Sequence, residues 1–445
     1  MSKAYLNNFS YLFVPLTTDN IDQFPAFYKN INATTGWDPI DVENRYLHRY
    51  VSERITAHAA QKTAGYHFRL NENFAKEQGL HLGTKCYSTD AKVYQGQKDT
   101  YFRFRIANVE LFSFNTGICI LAFELQFEED DPIMIASAQY YLRKITTERI
   151  HIDGDTGADS RVSFVDISRR ILSKAAQNVE IDFFFYAAPN NEKANFLTYV
   201  DVPCKEAYER ELFHLKWCYH DGFDYRDEAD FNDSENYVAS RNTIWGITVS
   251  AAVCLVNRDE KQREFIENVF QKNFRRQYLM TYVLLLHQKY MMYLFLTKMS
   301  VGIDGDLEQL EKYKAKLYDF ETNYMFTYIS EVPQYQRFYT KVRNQFALED
   351  LFRGVQEPLS QLTEIQKQTA ENKQREYDYR INTALTTLSL LTIVSALTDA
   401  TGVTSNLTWL IAPQISRIIQ IIMLVLVSVV SIFMLARLIS LKKKR

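Results

Sequence analysis

The chain has 445 residues, 51 lysines and arginines against 54 aspartates and glutamates, and a formal net charge of −3. This length permits two or three domains, each with a full hydrophobic core. The near-neutral charge balance gives no positive field that would attract nucleic acid, so neither DNA nor RNA is an expected partner. The five cysteines are widely separated and form no CxxC pair, which excludes the usual zinc or disulfide framework.

Strand and helix patterns alternate through the first 240 residues. Apolar runs predict strands at 11–16 and 182–187. Two more strands, VELFSF and ICILAFELQF, are joined by Asn115-Thr116-Gly117, which is typical of a tight hairpin. Residues 131–150 and 165–180 have the periodicity of amphipathic helices. We therefore predict a cytosolic α+β sensor domain over residues 1–257, with helices on one face of its sheet.

A further predicted strand, YFRFRIANV (101–109), carries the candidate ligand-binding residues. Tyr101, Arg103 and Arg105 alternate with apolar residues and therefore share one face of the strand. Two arginines beside an aromatic ring can hold a phosphate and stack a base. The alternative is an ordinary solvent-facing strand surface, where basic side chains are common.

Two acidic stretches are weaker candidates for a cation site. IDGDTGADS (152–160) resembles a calcium loop, but Ala158 and Phe164 stand where an EF-hand needs Gly and Glu. HDGFDYRDEADFNDSE (220–235) is rich in acids. A polar connecting loop is the default explanation of both stretches, and the metal assignment stays open. The chain has no HxxxH, GxGxxG, Walker or GxSxG motif, and no enzyme is therefore expected.

From residue 258 onwards the pattern is almost entirely helical, and residues 258–380 are assigned to a helical domain with a stalk helix. The apolar run 278–296 is interrupted by His287, Gln288 and Lys289, which favours a buried helix over a membrane span. Residues 366–380 are polar on every face, as expected of a solvated stalk or a helix around a hydrated vestibule.

Two apolar runs near the C-terminus predict transmembrane helices 1 and 2, at residues 381–401 and 418–439. Each has about 20 residues, or roughly 30 Å at 1.5 Å per residue, which matches a bilayer core. Basic residues before the first run and in the tail, 440–445, predict that both termini are cytoplasmic and that 402–417 is an external loop. The prediction is a multi-pass protein of the inner (plasma) membrane, with lipid as a partner.

The first apolar run has a polar stripe along one side. Its members recur at helical spacing and are Asn382, Thr386, Ser389, Ile393, Ala396 and Asp399. Polar groups are costly against lipid, so the stripe should face protein or water. Several copies around a common axis would make these residues pore-lining, with Asp399 at the mouth. Packing of the small residues against the second run is the alternative.

A long helix that enters the first of two C-terminal spans, followed by a short loop and a basic tail, resembles the CorA-like family of divalent-cation channels. The family's Gly-Met-Asn motif is absent, because residues 400–406 read ATGVTSN. The chain is more similar to the GMN-lacking CorA-like effectors of type III CRISPR systems. The stretches that carry this resemblance are VELFSFNTGICILAFELQF (109–127), NTIWGITVSAAVCLV (242–256) and FRRQYLMTYVLLLHQKYMMYLF (274–295).

The resemblance implies a homo-oligomer, pentameric as in the family, that is gated by a nucleotide messenger of the SAM-AMP type. It would act in antiviral defence by ion flux or membrane disruption. A constitutive Mg²⁺ transporter is one alternative, and a membrane-anchored sensor or scaffold without a pore is another. The nucleotide is the expected ligand, and a divalent cation stays open as a second one.

Overall fold

The computed structural model describes residues 5–18, 24–40, 46–55, 65–89, 102–153, 161–183, 193–203, 208–223, 234–258, 262–300 and 307–406. Beyond these it describes residues 415, 417–418, 421–422, 425–426, 428–429, 432–433 and 436. Contacts divide the chain into two units. The first, called the body below, comprises Met1–Ile303 and Lys312–Leu359. The second comprises Asp304–Glu311 and Ser360–Arg445.

A mixed sheet of twelve strands forms the centre of the body. The strands are β1 (Asn7–Thr18), β2 (Trp37–Pro39), β3 (Gly65–Leu70), β4 (Tyr87–Thr89), β5 (Arg103–Phe114), β6 (Ile118–Phe127), β7 (Ile150–Ile152), β8 (Ile181–Phe183), β9 (Asn195–Pro203), β10 (Asn236–Ser240), β11 (Thr243–Ile247) and β12 (Ala251–Arg258). Their order is β10-β11-β12-β9-β1-β6-β5-β3-β2, and β4, β7 and β8 pair beside this path. Strands β9 and β12 run parallel, whereas the other described pairs are antiparallel.

Twelve described α-helical segments accompany the sheet. They are α1 (Phe24–Ala33), α2 (Arg49–Ile55), α3 (Glu72–Glu77), α4 (Pro132–Leu142), α5 (Phe164–Leu172), α6 (Glu209–Trp217), α7 (Arg263–Phe265), α8 (Gln271–Asn273), α9 (Leu279–Ser300), α10 (Leu307–Tyr324), α11 (Pro333–Gln345) and α12 (Leu348–Asn406). Two π-helical turns, Ile266–Phe270 and Phe274–Tyr278, join α7, α8 and α9 into one winding segment.

Helices cover both faces of the sheet, so the prediction of helices on one face is wrong. On the first face, residues of α1, α3, α4, α5 and α6 share one apolar cluster with Leu12 of β1. On the second face, the ring of Phe13 lies 5.3 Å from that of Tyr282 of α9. Adjacent strand residues point to opposite faces, which is why β1 supplies both cores. Helix α9 is buried along most of its length, and its largely apolar sequence fits this second layer.

Several local predictions are confirmed. Strands β5 and β6 form the expected hairpin, and Gly117 in its turn has φ 86°, a conformation that favours glycine. The helix predicted at 165–180 is α5, although it ends at Leu172. It begins with a capping box, in which Ser163 and Asp166 each accept a hydrogen bond from the other's backbone N–H. The interrupted run 278–296 is the buried α9, with His287 at 0% exposure.

The predicted membrane hairpin is wrong. Residues 381–401 lie within α12, but in the part of the chain that the structure describes, no helix is both long enough and apolar enough to cross a membrane. Serines and threonines lower the hydropathy of this run, and the hydroxyls of Thr386, Thr387 and Thr392 donate to carbonyls one turn earlier. Helix α12 also continues to Asn406, into the predicted external loop.

The other predictions that assumed the membrane hairpin lose their basis with it. Most of the second predicted run, 418–439, and the whole tail, 440–445, lie outside the described residues. The CorA-like fold class, the ion-channel assignment and the multi-pass inner-membrane location all required spans that the described helices do not provide. The expected link to CRISPR antiviral defence rested on the same resemblance and gains no support. The fold is instead α+β, a twelve-stranded mixed sheet with long helices.

Candidate ligand-binding pocket

The sequence-predicted ligand residues lie on β5, where carboxylates already hold the two arginines. Arg103 Nη2 lies 2.6 Å from Asp153 Oδ2, and Arg105 Nη2 lies 2.8 Å from Glu128 Oε1. Tyr101 lies outside the described residues. A phosphate bound at this strand would compete with both carboxylates for the guanidinium groups. Ligand binding by these three residues stays a prediction, and the observed pairing gives it no new support.

The six predicted pore-lining residues all lie on α12. Asn382, Ala396 and Asp399 are exposed, and Thr386, Ser389 and Ile393 are partly buried. Their common helix face agrees with the predicted periodicity. The assignment of these residues to a pore assumed the membrane hairpin, which the described helices do not provide.

The acidic candidates for a cation site are only partly described. Asp153 accepts a hydrogen bond from Ser88 and pairs with Arg103, while residues 154–160 lie outside the described part. In the second stretch, Glu235 Oε2 lies 2.7 Å from Nζ of the buried Lys216. Among the described residues, no three His, Cys, Asp or Glu side chains are grouped as metal ligands would be.

A cavity of about 200 Å³ lies at the edge of the sheet that β10 forms. Its walls come from β10, β11, β12, the winding segment of α7, α8 and the π-helical turns, and the first turn of α11. The floor is buried and includes Val256, Ile266 and Tyr335. The rim is exposed and includes Gln262 and Phe265. All of these residues belong to the body.

Four aromatic side chains line this pocket: Phe265, Phe270, Tyr278 and Tyr335. The ring of Tyr278 lies 5.0 Å from that of Tyr335 and 6.1 Å from that of Phe270. Behind them, Trp245 packs against Tyr278 at 4.9 Å and holds its ring in place. Rings at these separations form a preorganised apolar surface that a flat ligand can stack on.

Four amide side chains complete the lining: Asn242, Gln262, Asn273 and Gln334. Asn242 Nδ2 donates to Gln262 Oε1 at 3.1 Å, which joins the strand side of the pocket to the helix side. Among the lining residues none is charged. The pocket therefore offers neutral donors and acceptors around an aromatic floor.

The Tyr335 hydroxyl is the one polar group at the floor that is both buried and unsatisfied. The residue is 1% exposed, and its hydroxyl proton has no acceptor among the residues that the structure describes. Burial raises the pKa of Tyr335 to about 12, although hydrogen bonding from the Gln334 side chain to its oxygen lowers it in part. The hydroxyl therefore stays protonated and can donate to a ligand.

The two π-helical turns position much of the pocket. Ile266 begins the first turn and Phe270 ends it, Tyr278 ends the second turn, and Asn273 lies between the two turns. Each π-turn adds a residue to the helical repeat and rotates the following side chains relative to an α-helix, and such turns recur at functional sites. The sequence did not predict this lining, because α-helical periodicity gives no indication of π-helical turns.

Compared with protein-family models, with curated proteins and with solved structures, the chain shows no match. The resemblance to CorA-like channels and CRISPR effectors therefore gains no support from relatives.

Proposed function

We propose that this protein is a ligand sensor that binds a small, planar, uncharged ring compound in the pocket beside β10. The observation that carries the proposal is the lining itself, which combines four aromatic rings and four amides without a single charged side chain. Binding sites for small molecules share this combination of apolar walls and a few directed polar groups. The unsatisfied Tyr335 hydroxyl adds a donor that a ligand would satisfy.

The cavity volume limits the ligand to one ring or two fused rings. At about 200 Å³ it is smaller than the roughly 300–1,000 Å³ typical of sites for drug-sized molecules. A larger molecule would enter with one ring and leave the rest outside the rim of Gln262 and Phe265. A nucleotide messenger, as expected from the sequence, would bind in this way, because the uncharged lining cannot neutralise its phosphates.

The sensing element in this proposal is α11. Gln334 and Tyr335 lie in its first turn, and the chain passes from its end through Ala347 into α12. A ligand that hydrogen-bonds Tyr335 while stacking on Phe270 bridges α11 and the winding segment. Such a ligand stabilises the position of α11 in which Tyr335 contacts it. A sensor requires this, because a ligand shifts a conformational equilibrium only if it binds one state more tightly than the other.

Binding fits the pocket better than catalysis or transport does. The lining contains no carboxylate, imidazole, thiol or amine, which are the groups that most often transfer protons or attack substrates. The channel and transporter hypotheses depended on the membrane hairpin and are not retained. A scaffold without a ligand is the competing class, and the experiment below separates it from a sensor.

The test is a screen of one-ring and two-ring heteroaromatic compounds by ligand-observed NMR on the full chain. Phe270→Ala removes one stacking wall and should weaken every bound compound about two- to tenfold, because aromatic contacts contribute about 0.5–1.5 kcal/mol beyond area burial. Tyr377→Ala on α12, an exposed aromatic residue outside the pocket lining, is the matched control and should leave affinity unchanged. Circular dichroism confirms that both variants fold.

Two results would contradict the proposal. If no ring compound binds the unmodified protein, the scaffold hypothesis is favoured. If compounds bind the protein and the Phe270→Ala variant equally well, their site is elsewhere.

A further inference from the structure

We infer that the ligand of this pocket carries a carboxamide or lactam edge, in which a carbonyl lies beside an N–H, and that Asn242 and Gln262 recognise that edge. The inference rests on the proposed function, because it specifies the class of compound that the same pocket takes. It starts from the hydrogen bond between the two side-chain amides, Asn242 Nδ2 to Gln262 Oε1 at 3.1 Å.

The two amides differ in how firmly they are held. Asn242 lies in the tight turn between β10 and β11, and its backbone carbonyl accepts a hydrogen bond from Asn257 of β12 at 2.8 Å. Gln262 precedes α7 at the N-cap position, yet its side chain makes no capping hydrogen bond. Its amide is also exposed. Gln262 can therefore turn away from Asn242 without breaking a helix cap, which opens the mouth of the pocket.

An amide edge satisfies both groups that this opening frees. The ligand carbonyl accepts from Asn242 Nδ2, and the adjacent ligand N–H donates to Gln262 Oε1. One hydrogen bond between side chains is thereby replaced by two to the ligand. If the oxygen and nitrogen of each side-chain amide are assigned the other way round, Gln262 donates the hydrogen bond and Asn242 accepts it. The ligand then needs the same carbonyl and N–H, with their two positions along the edge swapped.

The remaining lining supports this class over charged or purely apolar rings. A carboxylate or ammonium group would be desolvated against a wall that holds no opposite charge. A purely apolar ring would leave the buried Tyr335 hydroxyl unsatisfied. A heteroaromatic ring that carries a ring acceptor as well as an amide edge offers a hydrogen-bond partner to each of Tyr335, Asn242 and Gln262.

The experiment compares nicotinamide with methyl nicotinate, which keeps the ring and the carbonyl but has no amide N–H. Affinities are measured by NMR titration on the full chain and on Gln262→Met, which keeps the side-chain length without the amide. We expect nicotinamide to bind the unmodified protein at least tenfold more tightly than the ester. In Gln262→Met this preference should disappear, and the ester should bind at least as tightly as it binds the unmodified protein, because its carbonyl no longer competes with Gln262 Oε1 for Asn242 Nδ2. Tyr335→Phe should weaken both probes by a similar factor.

The outcomes separate this inference from the proposed function. Equal binding of amide and ester to the unmodified protein overturns the inference, as does a preference that survives in Gln262→Met. If neither probe binds while other ring compounds bind in a way that Phe270→Ala weakens, the inference fails and the proposed function stands. If no ring compound binds at all, both fail.

Discussion

The fully buried His287 makes the stability of the body depend on pH in a way that can be worked out from its surroundings. Its ring stacks on Phe114 with centroids 3.9 Å apart, and Nε2 hydrogen-bonds the Thr116 hydroxyl at 2.8 Å. Burial lowers the pKa of His287 from 6.5 to about 3. The folded protein therefore keeps the ring neutral at pH values where the unfolded chain protonates it.

The direction of the effect follows from this depressed pKa. Above pH 6.5 the ring is neutral in both states and adds no pH dependence. Between pH 6.5 and pH 3 the unfolded state binds a proton that the folded state excludes, so the free energy of unfolding falls by about 1.4 kcal/mol per pH unit. The loss contributed by His287 approaches about 5 kcal/mol at the low end of this window.

The perturbation is His287→Phe, which keeps the stacked ring and removes the titrating group. At pH 7.5 the variant should be less stable by about 1 kcal/mol, because it loses the hydrogen bond to Thr116. As pH falls, the original protein loses stability through His287 and the variant does not. The two curves should therefore cross between about pH 5 and pH 6.

The assay is urea unfolding, followed by circular dichroism at half-unit steps from pH 7.5 to pH 5. Thr116→Val is the matched control, because it removes the same hydrogen bond and keeps the histidine. It should lower stability by a similar amount at every pH, so its curve runs parallel to that of the original protein. If the His287→Phe curve is also parallel, the argument from burial is refuted.

Three further predictions concern backbone positions. Gly246→Ala should lower the free energy of unfolding by about 1–3 kcal/mol in urea titrations, because a Cβ there would lie 2.8 Å from Leu212 Cδ1 and 3.2 Å from Lys216 Cβ of α6. Gly354→Ala in α12 meets no atom within 4 Å and should raise it by about 0.5–1 kcal/mol, so equal losses at both glycines would count against the packing argument. Ala347→Gly should raise the melting temperature slightly, because φ 49° costs alanine about 1–2 kcal/mol and glycine very little; a lower melting temperature would contradict this account.

The sequence was most informative where structure is set by neighbouring residues. The Asn115-Thr116-Gly117 corner predicted the hairpin because a positive φ at Gly117 is a local requirement. Alternation along YFRFRIANV placed Arg103 and Arg105 on the exposed side of β5. It did not show that Asp153, 50 residues later, would hold Arg103. Pairing of this kind depends on the register of the whole sheet, which local patterns do not contain.

The errors have equally specific causes. The run at 381–401 has the length of a membrane span and is interrupted by serines and threonines, and no described helix is both long enough and apolar enough to cross a membrane. The sequence did not predict the pocket, because its lining residues are as far apart along the chain as Ala239 and Tyr335. The wall that the winding segment forms also depends on two π-helical turns, and no spacing of residues in the sequence predicts such turns.

The central strand has a consequence for how the chain reaches its native state. Strand β1 lies between β6 and β9, so both of its hydrogen-bonding edges are closed by strands that are made later. Ribosomes add about 5–20 residues per second, and β9 therefore emerges roughly 10 to 40 seconds after β1. During that interval an apolar strand with a free edge is exposed to other nascent chains. Slow translation and high concentration should thus lower the yield of this protein more than the stability of its finished core would indicate.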